Sequence, residues 1–321
     1  MNLPERICVL SVRRQMKKPT SISAGLLLLA LVFAATSCSR LMHRSPPLPE
    51  QVELHAPSVS VPMDLFAGRP VVSVRINGKG PFPFILDTGA AGSVVSPDLA
   101  RELGLPGKGQ TLAGRPGAAA PVQATVTRID RLDLGEAQVS GLFAVELELS
   151  SLLKGSQAPR GVLSAASFPG LLVTFDYPAR RVALRRGELA PADGQSILGW
   201  EGGDRVPSVF LTFSDLKLKV DLDSGSSSGI SLPRQYADIL RLTGKPVAAS
   251  QERTVDGARE VTVATLDGAA RLGRFTIDNP QIRFVDGIPF GNIGSAILQR
   301  FAMTLDSKNR RIQFEPAPLL K

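Results

Sequence analysis

Residues 84 to 96 read FILDTGAAGSVVS, an apolar run that breaks into Asp87-Thr88-Gly89 and returns at once to small and apolar residues. A strand that has just buried Phe84, Ile85 and Leu86 pays a desolvation penalty for a carboxylate at its exit unless something answers the charge. A lone acid there would read as a turn former, its side chain bonded to its own backbone. The same thing happens again at residues 220 to 233, VDLDSGSSSGISLP. In this second copy Asp221 stands where the first has Ile85. Alternation accounts for it: Lys217, Lys219 and Asp221 fall on one solvent face, and Leu218, Val220 and Leu222 on the buried one.

Working outward, a short segment opening on Pro follows each turn: PDLARELGL at 97–105 and PRQYADILRLTG at 233–244. Proline suits a first helical position, so both are expected as short helices. The remainder is runs of four to eight apolar residues broken by Gly, Pro, Asn and Asp, which predicts a mostly β chain. The stretches LLVTFDYPARRVAL (171–184) and FAMTLDSKNRRIQF (301–314) align without gaps at an offset of 130 residues, Thr174 on Thr304 and Asp176 on Asp306. The turn acids precede these later acids by 89 residues (Asp87 to Asp176) and 83 residues (Asp223 to Asp306). One supersecondary unit used twice is the expectation. Asp176 and Asp306 read as solvent-facing turn residues, and Trp200 as a packing residue between the halves.

Composition narrows the chemistry. The only cysteines are Cys8 and Cys38 and the only histidines His43 and His55, all ahead of the first strand expected at Val71. That removes histidine-based nucleophilic catalysis and the usual zinc sites from the folded part. The net charge of +8 falls to +4 without residues 1–37, which predicts no nucleic-acid partner. Met16-Lys17-Lys18 and the apolar run at 25–35 form a secretory leader, with Met16 as an alternative start. The run is too short for a comfortable bilayer span. The expected organisation is a leader over 1–37, an anchor and tether over 38–69, a first lobe over 70–185, a connection over 186–205, a second lobe over 206–315 and a tail over 316–321.

Two copies of strand, Asp-Thr/Ser-Gly and small residues, followed by strand and helix, resemble the aspartic proteases. Each half looks like one retroviral-type (retropepsin-like) subunit, and the two in tandem like the bilobal pepsin-like enzymes, over about residues 70 to 315. The resemblance implies an acid-protease fold of two pseudo-twofold β lobes, and an endopeptidase acting on polypeptides without cofactor or metal. It implies Asp87 and Asp223 as the catalytic acids, Thr88 and Ser224 as hydroxyls cross-linking the two loops, and Gly89 and Gly225 as positions where backbone amides reach the carboxylates. With both lobes in one chain, a monomer is expected. Hairpins at 107–121 and 252–261 are the flap candidates, and neither holds a tyrosine, the only two being Tyr177 and Tyr236.

Ala35-Thr36-Ser37-Cys38 resembles a bacterial lipobox, which implies lipidation of Cys38 and an extracytoplasmic protein held on the envelope membrane; a plain signal peptide is the alternative. The family's apolar-apolar-Gly element is matched only in part, by Val162-Leu163-Ser164 and Asn292-Ile293-Gly294. A catalytically silent scaffold of the same fold, binding peptides or other envelope components, therefore stays open, as does a structural lipoprotein of unrelated β-barrel type.

Overall fold

Both acids end a strand whose inner face is apolar. In the strand Lys79–Asp87, Phe84 and Leu86 are buried, and in the strand Leu216–Asp223, Leu218, Val220 and Leu222 are. Lys217 and Lys219 stand exposed on the opposite face, as the alternation predicts, whereas Asp221, expected beside them in solvent, is half-buried and accepts from Ser208 Oγ. These elements belong to a computed structural model that describes residues 46–317 apart from 115–120, 151–152, 154, 156, 250–251 and 255–256. The apolar leader and Cys38 lie outside the described residues.

Each acid strand forms a hairpin with the strand before it, Arg69–Ile76 in the first case and Ser208–Phe213 in the second. The first hairpin turns on Asn77-Gly78, both with φ in the left-handed region (50° and 79°) that a tight two-residue hairpin turn demands. On its other side each acid strand pairs in parallel with a short strand, Gly161–Ser164 or Gly291–Gly294. These pair antiparallel with the strand following the acid turn, Ser93–Val95 or Ile230–Pro233. That strand pairs in parallel with Ala137–Glu146 or Gln281–Val285. The result is a mostly β, acid-protease-like architecture with two nine-stranded sheets.

A six-stranded sheet joins them, running Ile197–Gly199, Arg311–Pro316, Phe301–Asp306, Leu172–Asp176, Arg181–Arg185 and Ser58–Pro62 in spatial order. Its central pairing is antiparallel and puts Thr174 opposite Thr304, the residues equated by the 130-residue offset, with their hydroxyls 2.9 Å apart. A single large apolar cluster runs from Val59 to Phe314 and includes Trp200, whose indole N–H donates to the Gly203 carbonyl at 2.8 Å.

Several segments differ from expectation, each for a local reason. The stretch expected as a tether enters the sheets from Gln51 onward, because Gln51–Leu54 pairs with Ala137–Ser140 and Ser58–Pro62 with Arg181–Arg185. Residues 186–205 are likewise built in: Ile197–Gly199 pairs with Arg311–Gln313, and Asp193 accepts the backbone N–H groups of Gln195, Ser196 and Ile197. Of the two expected helices, Pro97–Leu103 forms, capped by Ser96 at one end and by Gly104 with φ of 64° at the other. The second shrinks to a 3-10 turn over Arg234–Asp238. Pro233 offers no capping side chain there, and Leu242 is drawn into a bridge with Leu266. Asp306 is not solvent-facing. It is 2 % exposed and accepts from the backbone of Leu189 (2.9 Å) and Asn309 (3.0 Å) and from the Asn309 side chain (2.9 Å). Asp176 accepts from Ala179 N–H and Arg181, both at 3.0 Å. Both flap candidates are hairpins, Gly107–Ala113 with Val122–Leu134 and Glu252–Thr254 with Gly257–Arg259. Their tips lie outside the described residues.

Candidate active site

The two Asp-Thr/Ser-Gly turns, 136 residues apart in sequence, lock together through reciprocal hydrogen bonds. Thr88 N–H donates to Ser224 Oγ and Ser224 N–H to Thr88 Oγ1, each at 3.0 Å. The hydroxyls then donate across to the strands, Thr88 Oγ1 to the Leu222 carbonyl (2.6 Å) and Ser224 Oγ to the Leu86 carbonyl (2.8 Å). Thr88 and Ser224 are fully buried. A hydroxyl both donates and accepts, so each residue satisfies one carbonyl and one N–H of the other loop in a place closed to water.

Above this lock each acid lies against the other loop's glycine. A Cβ on Gly89 would sit 2.7 Å from Asp223 Cγ, and one on Gly225 would collide with Asp87 Oδ2. Only glycine admits that approach. Asp87 Oδ1 accepts Gly89 N–H at 2.7 Å and Gly225 N–H at 3.1 Å, one from each loop. Asp223 Oδ2 accepts Asn292 Nδ2 at 3.2 Å.

Beneath the second turn, Ser295 Oγ donates to the Ser224 carbonyl at 2.7 Å and lies 3.4 Å from the Tyr177 hydroxyl. Burial holds the Tyr177 phenol far above its ordinary range. The bond with Ser295 pulls it back, and the charges of Asp87 and Asp223 push it further up. This tyrosine stays neutral and packs under the site. Two arginines tie the halves at the rim. Arg69 Nε donates to the Gly225 carbonyl (2.7 Å) and Arg205 to the Ala91 carbonyl (3.1 Å), and Arg205 also reaches the Pro46 carbonyl.

The structure thus brings together Asp87, Thr88, Gly89, Asp223, Ser224 and Gly225. Sequence reasoning missed Asn292, Ser295, Arg69, Arg205 and the position of Tyr177. The departures from the apolar-apolar-Gly element have local uses: Ser164 Oγ donates to the Ala90 carbonyl at 2.5 Å, steadying the first loop, and Asn292 reaches Asp223. The sequence marks Ser164 and Asn292 only as departures from that element; their roles come from register, which sets Ser164 level with Asp87 and Asn292 level with Asp221. Among the described residues no group of three or more His, Cys, Asp or Glu side chains is placed to hold a metal ion.

The fold is acid-protease-like, and comparison with known families bears on part of the chain. Residues 72–166, which contain the first acid turn, match the family model described as aspartyl protease. No curated protein matches the chain.

Proposed function

We propose that the chain is an aspartic endopeptidase made of two retropepsin-like lobes in tandem, with Asp87 and Asp223 as its catalytic acids. The observation that carries this reading is the reciprocal lock of Thr88 and Ser224, which gives two separate acid turns one shared floor. One ionised carboxylate takes a proton from a water molecule as its oxygen bonds to the peptide carbonyl carbon. The other carboxyl gives its proton to the carbonyl oxygen. Breakdown of the tetrahedral intermediate then returns a proton to the departing amine. Both acids come from one chain, so a monomer suffices. The substrate is a polypeptide, and no cofactor takes part. Lipidated Cys38 would hold this domain at the envelope membrane on its extracytoplasmic side, and lipid labelling lost in Cys38→Ala tests that part.

Activity should follow a bell in pH, because one acid must be ionised and the other not. Asp87→Asn and Asp223→Asn keep the shape of the site and remove the titration, so each should abolish cleavage of a mixed peptide substrate with melting temperature little changed. Two carboxylates acting as a unit make the double variant no worse than either single one. Wild-type-like cleavage by either folded variant removes that residue from the mechanism. A wild type that never cleaves, yet binds a statine-type transition-state analogue, would instead support the silent scaffold.

A further inference from the structure

The two acid strands carry opposite chemistry on the face that bears the acids. Residues two apart on a strand share a face, and register partners on neighbouring strands share it too. In the first sheet the row level with the residue two before Asp87 is Val71, Ile85, Val162 and Val94. Val71 and Ile85 are buried in a small apolar cluster of their own with Leu149 and Leu153, and Val94 and Val162 pack against it. In the second sheet the same row is Ser208, Asp221, Asn292 and Ser231. Every aliphatic side chain of the first row is polar in the second.

This polar row opens onto the proposed catalytic acid, since Asn292 is both the register partner of Asp221 and the donor to Asp223 Oδ2 at 3.2 Å. Its unspent capacity is for accepting hydrogen bonds. Asn292 Oδ1 is buried with no partner in the structure, and a buried acceptor left so costs free energy until a donor arrives. Asp221 takes Ser208 Oγ on one oxygen at 2.5 Å and keeps a second acceptor oxygen, and burial raises its carboxyl above the ordinary value. Three cations lie on this face, among them Lys217, which stacks over the Phe210 ring at 4.2 Å from its centroid. Lys219 stacks over the Phe290 ring at 5.3 Å from its centroid, and Arg283, the register partner of Ser231, sits at the far end of the row and is already engaged. Lysine and arginine side chains are donors only. We propose that this row is a specificity subsite, and that it makes the protein select peptides with a lysine or arginine on the second-lobe side of the scissile bond, opposite an apolar residue on the first-lobe side. The inference rests on Asp87 and Asp223 being the acids of a peptide site.

The test profiles the full chain, in detergent, against a mixed peptide library, alongside Asp221→Ile, which installs the residue of the first row, and Asp221→Asn, which keeps the shape and removes the charge. Wild type should concentrate cleavage beside Lys or Arg at one fixed position. Asp221→Ile should lower kcat/KM for those peptides about 10- to 100-fold and raise it for apolar ones, the range expected for losing a charge-assisted hydrogen bond. Asp221→Asn should lose much of the basic preference while melting no lower than wild type. Cleavage with apolar preference on both sides, unchanged in Asp221→Ile, overturns the subsite and leaves the endopeptidase standing. If wild type cleaves nothing, binding of statine-type ligands bearing Lys or Leu at that position separates the two ideas. Tighter binding of the Lys ligand that vanishes in Asp221→Ile upholds the subsite and removes the cleavage; equal binding, or none, overturns the subsite.

Discussion

Replacing Thr88 by Val keeps its outline and deletes the hydroxyl from the floor of the site. That hydroxyl accepts Ser224 N–H and donates to the Leu222 carbonyl, and both partners lose their hydrogen bond where water has no access. Each buried polar group left unpaired costs about 1–3 kcal/mol. Thr88→Val should therefore lose about 2–6 kcal/mol of unfolding free energy. Ser224→Ala strips Thr88 N–H and the Leu86 carbonyl in the same way and should fall in the same range. Thr174→Val is the internal standard, since it removes one hydroxyl pair from the joining sheet and should cost about 1 kcal/mol. Urea unfolding followed by fluorescence and by far-UV circular dichroism gives the midpoints, with coincidence of the two probes as the check on a single transition. If Thr88→Val and Ser224→Ala each cost no more than Thr174→Val, the reciprocal bonds do not hold the turns together, and the argument for a shared floor fails.

Burial raises the Asp221 carboxyl above its ordinary 3.8, with Ser208 and Lys219 pulling the other way. Folding thus favours the protonated acid; its contribution is full below the unfolded value and is lost as pH climbs through the folded one. Asp221→Asn should accordingly melt above wild type at about pH 7 and converge with it near about pH 3 in thermal scans, and a gap that widens on acidification would contradict this. Gly225→Ala should displace the Asp87 carboxylate, which the new Cβ would strike, and cut kcat by about 100-fold or more with smaller change in KM; unchanged kinetics would mean that the acid tolerates displacement. Asp306→Ala strands the N–H groups of Leu189 and Asn309 and should lower stability by about 2–5 kcal/mol in urea titrations, whereas a loss under about 0.5 kcal/mol would return Asp306 to the surface role read from its sequence.

Local pattern carried much of this far. The alternation Leu218, Val220, Leu222 against Lys217 and Lys219 fixes the faces of the second acid strand from sequence alone, because a two-residue period has one reading. The Pro97 helix was legible because its start, apolar positions and Gly104 all agree. The segment after Pro233 shows the same proline and a similar apolar spacing, yet Ile239 is left 60 % exposed and Leu242 pairs with Leu266, a long-range contact that no local pattern records. Asp306 and Asp176 align perfectly in sequence but differ in burial, since only Asp306 faces the returning backbone at Leu189. The site was half readable for the same reason. Asp87, Thr88 and Gly89 announce themselves by breaking an apolar run, whereas Asn292, Ser295 and Tyr177 acquire meaning only once strands distant in sequence lie side by side.

The central pairing of Thr174 with Thr304 has a consequence for concentration. A site assembled from two separate subunits dissolves on dilution below their dissociation constant, and its two acid turns are then lost to each other. Here the strands Leu172–Asp176 and Phe301–Asp306 belong to one polypeptide, so their encounter is intramolecular and does not depend on the concentration of other copies. The acid turns therefore stay matched in a single isolated molecule, however few copies share a compartment. One chain also permits what identical subunits do not, a Val71–Ile85 face on one side and a Ser208–Asp221 face on the other.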